Sequence, residues 1–379
     1  MLVYLLIIVL LFALSWSRVP RQVSYGVLFL LMLFLCLGYM TGSDWRGYES
    51  EYYEEFSVRL LEPGYMLLSN LFSRAGINFW VFHILFKCLF FILSIYFIRT
   101  HVNKQADYSI PNNQFFFGLM LWVASFGFYM LIDCPFRNLI SCLVMIPAFN
   151  CLLQRRYVLY YILTLLAISF HYSAVVLLFL PLVNVRSLST KSLVAIYFAV
   201  LIVLSIGGAT LIVSLASRFL PPILQERILY YEAWAESGVF HLGLIPRLLC
   251  LWGILRYRAV IVEKYTYGNE IISFCYFYLI MSLVYSAYPV LFRSALFLAP
   301  FYILGMVYAL DSMTPSLKIP TKFLWFAIAM AITFTGVRSS SYVPYTNILY
   351  HYVSGKMYEY DYRDKYNPRM SPYYTPEQY

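Results

Sequence analysis

The sequence predicts an all-α, polytopic integral membrane protein with about 11–12 transmembrane helices, two of them short and broken near His171. Composition is the first reason. Of 379 residues, 62% are hydrophobic and only 12% charged, and the mean hydropathy is +0.71. A soluble domain carries about 25% charged residues. The 27 basic and 18 acidic side chains are too few to clothe a water-facing surface of this size. The second reason is that the apolar residues fall into runs close to the ~20 residues that a helix needs to cross a bilayer. The third is that Lys and Arg collect in alternate loops, as they do on the cytoplasmic side of membrane proteins. A disordered chain, a disulfide scaffold and a cytoplasmic enzyme all fit this composition poorly.

The runs cover residues 1–16, 25–41, 79–98, 114–132, 136–153, 157–184, 193–216, 240–255, 271–288, 294–310 and 323–338. The first lacks a positive leading segment and an Ala-x-Ala site, so it is expected to be a retained span. Loop 17–24, with Arg18 and Arg21, reads as inside. Loop 42–78, which holds Asp44, Glu49, Glu51, Glu54, Glu55 and Glu62, reads as outside. Loop 99–113 is inside, the turn at Asp133-Cys134-Pro135 outside, and Arg155-Arg156 inside. Run 157–184 is long for one span. Taken as one helix it would put Arg186 and Lys191 outside; taken as two short helices meeting near His171 it puts them inside. The second choice also places loop 217–239 outside and loops 256–270 and 311–322 inside. The expectation is one multi-spanning domain over 1–338, with outer loops at about 42–78 and 217–239, and a polar tail over 339–379 that ends outside.

Two outer stretches are expected not to cross. Residues 51–55 with 59–76 are amphipathic and suited to the interface. Residues 219–238 are rich in Tyr and Trp. The many aromatics (37 Tyr, 31 Phe, 7 Trp) suit interface belts and also stacking on sugar rings. No internal repeat is visible, so an inverted-repeat transporter has no positive support. The net charge of +9 is spread at run ends, which favours anchoring at the cytoplasmic face and an anionic substrate over nucleic acid. Cys36, Cys88, Cys134, Cys142, Cys151, Cys250 and Cys275 read as small apolar residues and show no metal-ligand spacing. No nucleotide loop, HExxH or serine elbow is present. Neither a metal nor a cofactor is expected.

Charges inside or at the rim of a span are costly and often mark function. Arg137 opens a span and reads either as a snorkelling anchor or as a phosphate clamp, since a guanidinium binds phosphate through two parallel hydrogen bonds. His171 lies within an apolar run beside Tyr172 and Ser173. It is either an interhelical hydrogen-bonding group or a proton shuttle or substrate contact. Arg293, at the mouth of a span, has the same two readings as Arg137. Arg218 and Arg227 flank Pro221-Pro222; singly they are solvated charges, and together with Arg137 and Arg293 they could line a pyrophosphate pocket. Arg247 and Arg338 are weaker candidates, and Lys87 reads as an interhelix contact. Asp44 and Glu62 sit among glycines and aromatics, either as a solvated loop or for recognition of, or base work on, a sugar hydroxyl.

A set of short motifs runs along the chain: Gly42-Ser43-Asp44-Trp45-Arg46-Gly47-Tyr48, Glu62-Pro63-Gly64-Tyr65 with Asn78 following, Phe136-Arg137-Asn138, Phe170-His171-Tyr172-Ser173-Ala174, Arg293 at a helix start, and Tyr342-Val343-Pro344-Tyr345-Thr346-Asn347. In this order and spacing the chain resembles the exopolysaccharide and O-antigen repeat-unit polymerases of the EpsG/Wzy type. Arg137-Asn138 stands where that family often has Arg-Gln. The resemblance implies a multi-spanning glycosyltransferase in the bacterial plasma membrane that takes oligosaccharides on undecaprenyl pyrophosphate and uses no nucleotide sugar. Membrane lipids and a chain-length regulator are the other expected partners, and no nucleic acid is. Under it, Arg137 and Arg293, with Arg218 and Arg227, would hold the donor pyrophosphate, and His171 would act as base or orienting group. Asp44, Arg46, Glu62 and Tyr172 would contact substrate. A lipid-linked oligosaccharide flippase, a related polysaccharide ligase and a non-catalytic assembly subunit are the alternatives.

Overall fold

The computed structural model describes residues 1–53, 62–102, 113–206, 243–339, 342–343 and 345–354. The described residues are helical and contain no β-sheet; Gly38 and Asn347 form one isolated antiparallel bridge. This is the outcome that a lipid environment imposes, because a helix satisfies all of its backbone polar groups within itself. Among the described residues, four helices are long and apolar enough to cross a membrane, and six apolar ones are shorter. The chain divides into two compact units.

Unit 1 comprises residues 1–146, 166–172 and 323–379. It contains α1 (Leu2–Leu14), α2 (Arg21–Cys36), α3 (Trp45–Tyr53), α4 (Pro63–Arg74), α5 (Phe79–Val102) and α6 (Asn113–Trp122). Two π-helical segments, Val123–Gly127 and Tyr129–Asp133, extend α6 toward α7 (Phe136–Leu153). Helix α1 packs on α6, α6 on α5, and α5 on α2. Tyr4 shows how the core is tied: its ring meets Phe34 and Phe128 edge-on at 5.4 and 5.1 Å, and its hydroxyl donates to the Tyr342 carbonyl at 2.7 Å. On helix α4, Tyr65, Met66 and Ser69 are buried while Leu67 and Leu71 are exposed; residues 54–61 of the expected interfacial stretch lie outside the described residues. Residues 345–348 fold back on the end of α2. The Asn347 amide donates to Leu33 O at 3.1 Å and the Ile348 amide to Leu37 O at 3.0 Å.

Unit 2 comprises residues 147–165 and 173–322. Helix α8 (Tyr157–Phe170) stops at His171, and a 3₁₀ helix (Tyr172–Leu182) follows. The Tyr160 hydroxyl donates to Leu177 O at 2.6 Å, so the chain doubles back at His171 instead of running on. The expected break in run 157–184 is present. Among the described residues the unit also holds the α-helices α9 (Thr190–Ser205), α10 (Leu244–Arg256), α11 (Arg258–Lys264), α12 (Gly268–Ala287), α13 (Phe292–Leu296) and α14 (Ala299–Asp311). Helix α14 packs on α10 and α12, and α12 on α9. α15 (Pro315–Gly336) begins in this unit, and α16 (Ile348–Ser354) closes the described chain in unit 1.

One end of unit 2 gathers the loops that the charge pattern assigns to the inner side. Arg258 donates to the carbonyls of Val185, Arg186 and Leu188 at 2.8, 3.0 and 2.7 Å. Asp311 accepts from Lys264 at 2.5 Å, Lys318 at 3.0 Å and the Tyr265 hydroxyl at 2.7 Å. A single long helix over 157–184 would have carried Arg186 to the opposite end.

Candidate functional site

The site lies in unit 1 and starts from the Glu62-Pro63-Gly64-Tyr65 corner. Pro63 suits the first turn of α4, since its fixed φ is helical and its missing amide is not needed there. Glu62 is the residue before it. Its carbonyl accepts the Met66 amide at 3.3 Å, yet its side chain does not cap the helix. The carboxylate points elsewhere. Oε2 accepts from Arg137 Nη1 at 2.5 Å, and Oε1 meets His171 Nδ1 at 2.5 Å. One buried carboxylate therefore bridges a guanidinium and an imidazole that lie 75 and 109 positions away in sequence.

Each of the three side chains is held from behind. Gly64 lets α4 approach the end of α8: a Cβ there would overlap the Ser169 side chain and lie 3.0 Å from its carbonyl carbon. Ser141, one turn after Arg137 on α7, donates to Ala167 O at 2.7 Å, and Ala167 O also accepts the His171 amide at 3.0 Å. Arg137 itself lies between two rings, with Cζ 5.4 Å from Tyr48 and 5.8 Å from Tyr65. Such stacking fixes the plane of a guanidinium. Its Nη2 is 4.0 Å from Glu51 Oε1. Glu62 and His171 are buried, whereas the Arg137 side chain keeps a quarter of its area exposed.

Burial pushes the Glu62 carboxyl up. The hydrogen bond with His171 and the charge of Arg137 outweigh that and hold it below the ordinary carboxylate range. An ionised Glu62 accepts from His171, so in a neutral imidazole the proton sits on Nδ1 and Nε2 is the basic nitrogen. Around Arg137 the carboxylates of Glu62 and Glu51 outnumber the one guanidinium.

The other sequence-predicted residues are placed as follows. Tyr172 adjoins His171, with ring centroids 5.0 Å apart. Asp44 and Arg46 lie at the start of α3, the helix that supplies Tyr48 and Glu51. The Ser43 hydroxyl donates to Asp44 Oδ1 at 3.1 Å and lies 3.0 Å from Asp133 Oδ1, and the Ser43 amide donates to Asp133 at 2.8 Å. Gly42 makes this join possible: its φ is +90°, and a Cβ would lie 2.8 Å from the Asp133 carbonyl carbon. The Arg46 guanidinium lies over Trp45 at 5.4 Å. Arg293 is on α13 in unit 2. Arg218 and Arg227 lie outside the described residues. Sequence reading missed Glu51 as an arginine partner. Its spacing from Tyr48 is one helical turn, which was the available signal. Among the described residues no group of three or more His, Cys, Asp or Glu is set to hold a metal ion.

No curated protein and no solved structure matches the chain. Residues 23–347 match a known family of membrane proteins, a span that takes in Glu62, Arg137 and His171 and most of both units. The chain belongs to the EpsG family.

Proposed function

We propose that this protein polymerises oligosaccharide repeat units carried on undecaprenyl pyrophosphate, at the outer face of the bacterial plasma membrane. Family membership supports a role in polysaccharide polymerisation. The observation that carries the chemistry is the Glu62 carboxylate bridging His171 and Arg137 at 2.5 Å each, where α7 begins and α8 ends.

In this reading a hydroxyl of the acceptor sugar attacks the anomeric carbon of the donor chain. The new C–O bond forms as the anomeric C–O bond to the diphosphate breaks, and the lipid diphosphate leaves with the bonding pair. His171 takes the hydroxyl proton at Nε2, and Glu62 stabilises the imidazolium that results. Arg137 keeps Glu62 ionised and aimed at His171. Asp44, Arg46 and Tyr172 contribute acceptor contacts, and the leaving diphosphate needs cationic stabilisation as its charge develops.

The test is the purified protein in liposomes with its lipid-linked repeat unit, without nucleotide sugar or ATP. A product ladder is expected. His171→Ala should cut its rate by about 10²–10⁴-fold, the range for loss of general acid–base catalysis. A normal ladder from correctly inserted His171→Ala protein would refute the assignment. Loss of substrate from one leaflet without a ladder would identify a flippase instead.

A further inference from the structure

Unit 2 buries an arginine that the acid–base cluster does not use. Arg247 is the fourth residue of α10 and is buried. Its Nη1 donates to Ser282 O at 3.0 Å and to Ser286 Oγ at 2.6 Å, and its Nη2 donates to the Tyr285 hydroxyl at 2.8 Å. Its Cζ lies 4.8 Å from the Tyr285 ring centroid. Every one of these partners is neutral, and no carboxylate among the described residues pairs with it. A guanidinium is a permanent cation with five N–H donors. Three are spent here, which leaves Nε–H and one Nη2–H. A buried charge with only neutral partners is poorly compensated.

The surroundings are hydroxyl-rich. Tyr197, Tyr278 and Tyr302 lie within electrostatic reach of Arg247. Tyr278 and Tyr302 stack at 4.5 Å. The Tyr197 hydroxyl is fully buried and has no hydrogen-bond partner among the described residues. The first turn of α10 adds the positive end of a helix. Arg256, Arg258 and Lys264 mark the far end of α10 and its continuation as the inner side, so Arg247 is at the outer end. Phe292, the neighbour of Arg293, packs on Tyr285 with centroids 5.2 Å apart.

We infer that Arg247, with the hydroxyls of Tyr197 and Tyr285, forms an oxyanion site at the outer end of unit 2 that receives a phosphate of a polyprenyl diphosphate, while Ser286, which donates to Ser282 O at 2.7 Å, holds the guanidinium in place. The identity of this ligand rests on the polymerase reading; the preference for an oxyanion rests on the partners of Arg247 among the described residues. Guanidinium and hydroxyl donors, with no carboxylate competing among the described residues, suit phosphate oxygens. The Arg137 cluster, matched by Glu62 and Glu51, does not offer that.

The test is binding of a fluorescent short-chain polyprenyl diphosphate to the full-length protein in phosphatidylcholine nanodiscs, with the neutral polyprenol as control. Wild type should bind the diphosphate more tightly than the polyprenol. Arg247→Met should weaken diphosphate binding by about tenfold or more and leave polyprenol binding unchanged. Tyr197→Phe removes a hydroxyl that holds nothing in the resting site. It should therefore keep the wild-type melting temperature and weaken diphosphate binding a few-fold. Wild-type affinity in both variants would overturn the site while the polymerase reading stood. No diphosphate binding by wild type would overturn both. Displacement by phosphatidylglycerol or inorganic diphosphate at equal concentration would show a general phosphate site and overturn the assignment to substrate.

Discussion

Glu62 accepts from two donors while almost entirely out of water, so its charge state governs the whole cluster. Its carboxyl is held below the ordinary range, which fixes the sign of a pH effect. Stability from the ionised form is present above the unfolded-state pKa and is lost as pH falls through the depressed native value. Melting temperature in detergent should drop on acidification below the usual carboxylate range, and Glu62→Gln should flatten that limb. At neutral pH Glu62→Gln should cost roughly 2 kcal/mol, the scale of a hydrogen bond to a charged group, together with most of the polymerising activity. A Glu62→Gln protein with wild-type turnover would remove the carboxylate from the mechanism. Gly64→Ala tests the close approach that sets Glu62 against His171. The added methyl collides with Ser169 and should destabilise by about 1–3 kcal/mol, with partial rescue by Ser169→Gly in the same chain. These residues were legible singly: Arg137 and His171 stood out as polar groups in apolar runs. That Glu62 joins them was not legible, because the carboxylate belongs to a loop rich in other acids and nothing in its neighbourhood names its partner.

At the scale of elements, the site sits where regular helices give way. Two π-helical segments precede α7, and an eleven-residue 3₁₀ helix follows His171. Such runs are uncommon and often mark functional positions. The 3₁₀ rise of about 2.0 Å per residue lets this segment reach farther than an α-helix of equal length. Apolar periodicity could not reveal this, since both helix types bury similar residues. Loop charges did locate the reversal, and the Tyr160–Leu177 bond closes it. Tyr160→Phe would leave the buried Leu177 carbonyl without its donor and should lower the melting temperature by the equivalent of about 1–3 kcal/mol. Ser141→Ala leaves Ala167 O with the His171 amide but without its tie to α7, and should lower kcat a few-fold with little change in KM, read from ladder kinetics. An unchanged kcat would mean that the Ser141 bond supports folding only.

For the whole molecule, orientation is the matter that a membrane decides. Arg186 lies in the segment after the 3₁₀ helix, Arg258 and Lys264 on α11 and Lys318 in the first turn of α15, all at one end of unit 2, where the positive-inside rule expects the cytoplasmic side. In a cysteine-free background, Leu188→Cys and Ser316→Cys should be labelled only from the cytoplasmic side, and Ala75→Cys only from outside. Labelling of Leu188→Cys from outside would reverse the reading of α8 and its 3₁₀ partner.

The amino-acid sequence by itself determined the fold class and the break at His171, and its loop charges set the sidedness that cysteine labelling would test. These follow from solvent sorting: lipid demands helices with internally paired backbones, and Lys and Arg stay on the inner side. Tertiary structure alone decided which charges meet. An ion pair depends on distances of a few ångströms between helices far apart in sequence. Here the close contact of Gly64 with Ser169 and the bond from Ser141 to Ala167 set those distances. The same packing gave Arg137 two carboxylates and left Arg247 among hydroxyls, a difference that no spacing along the chain records.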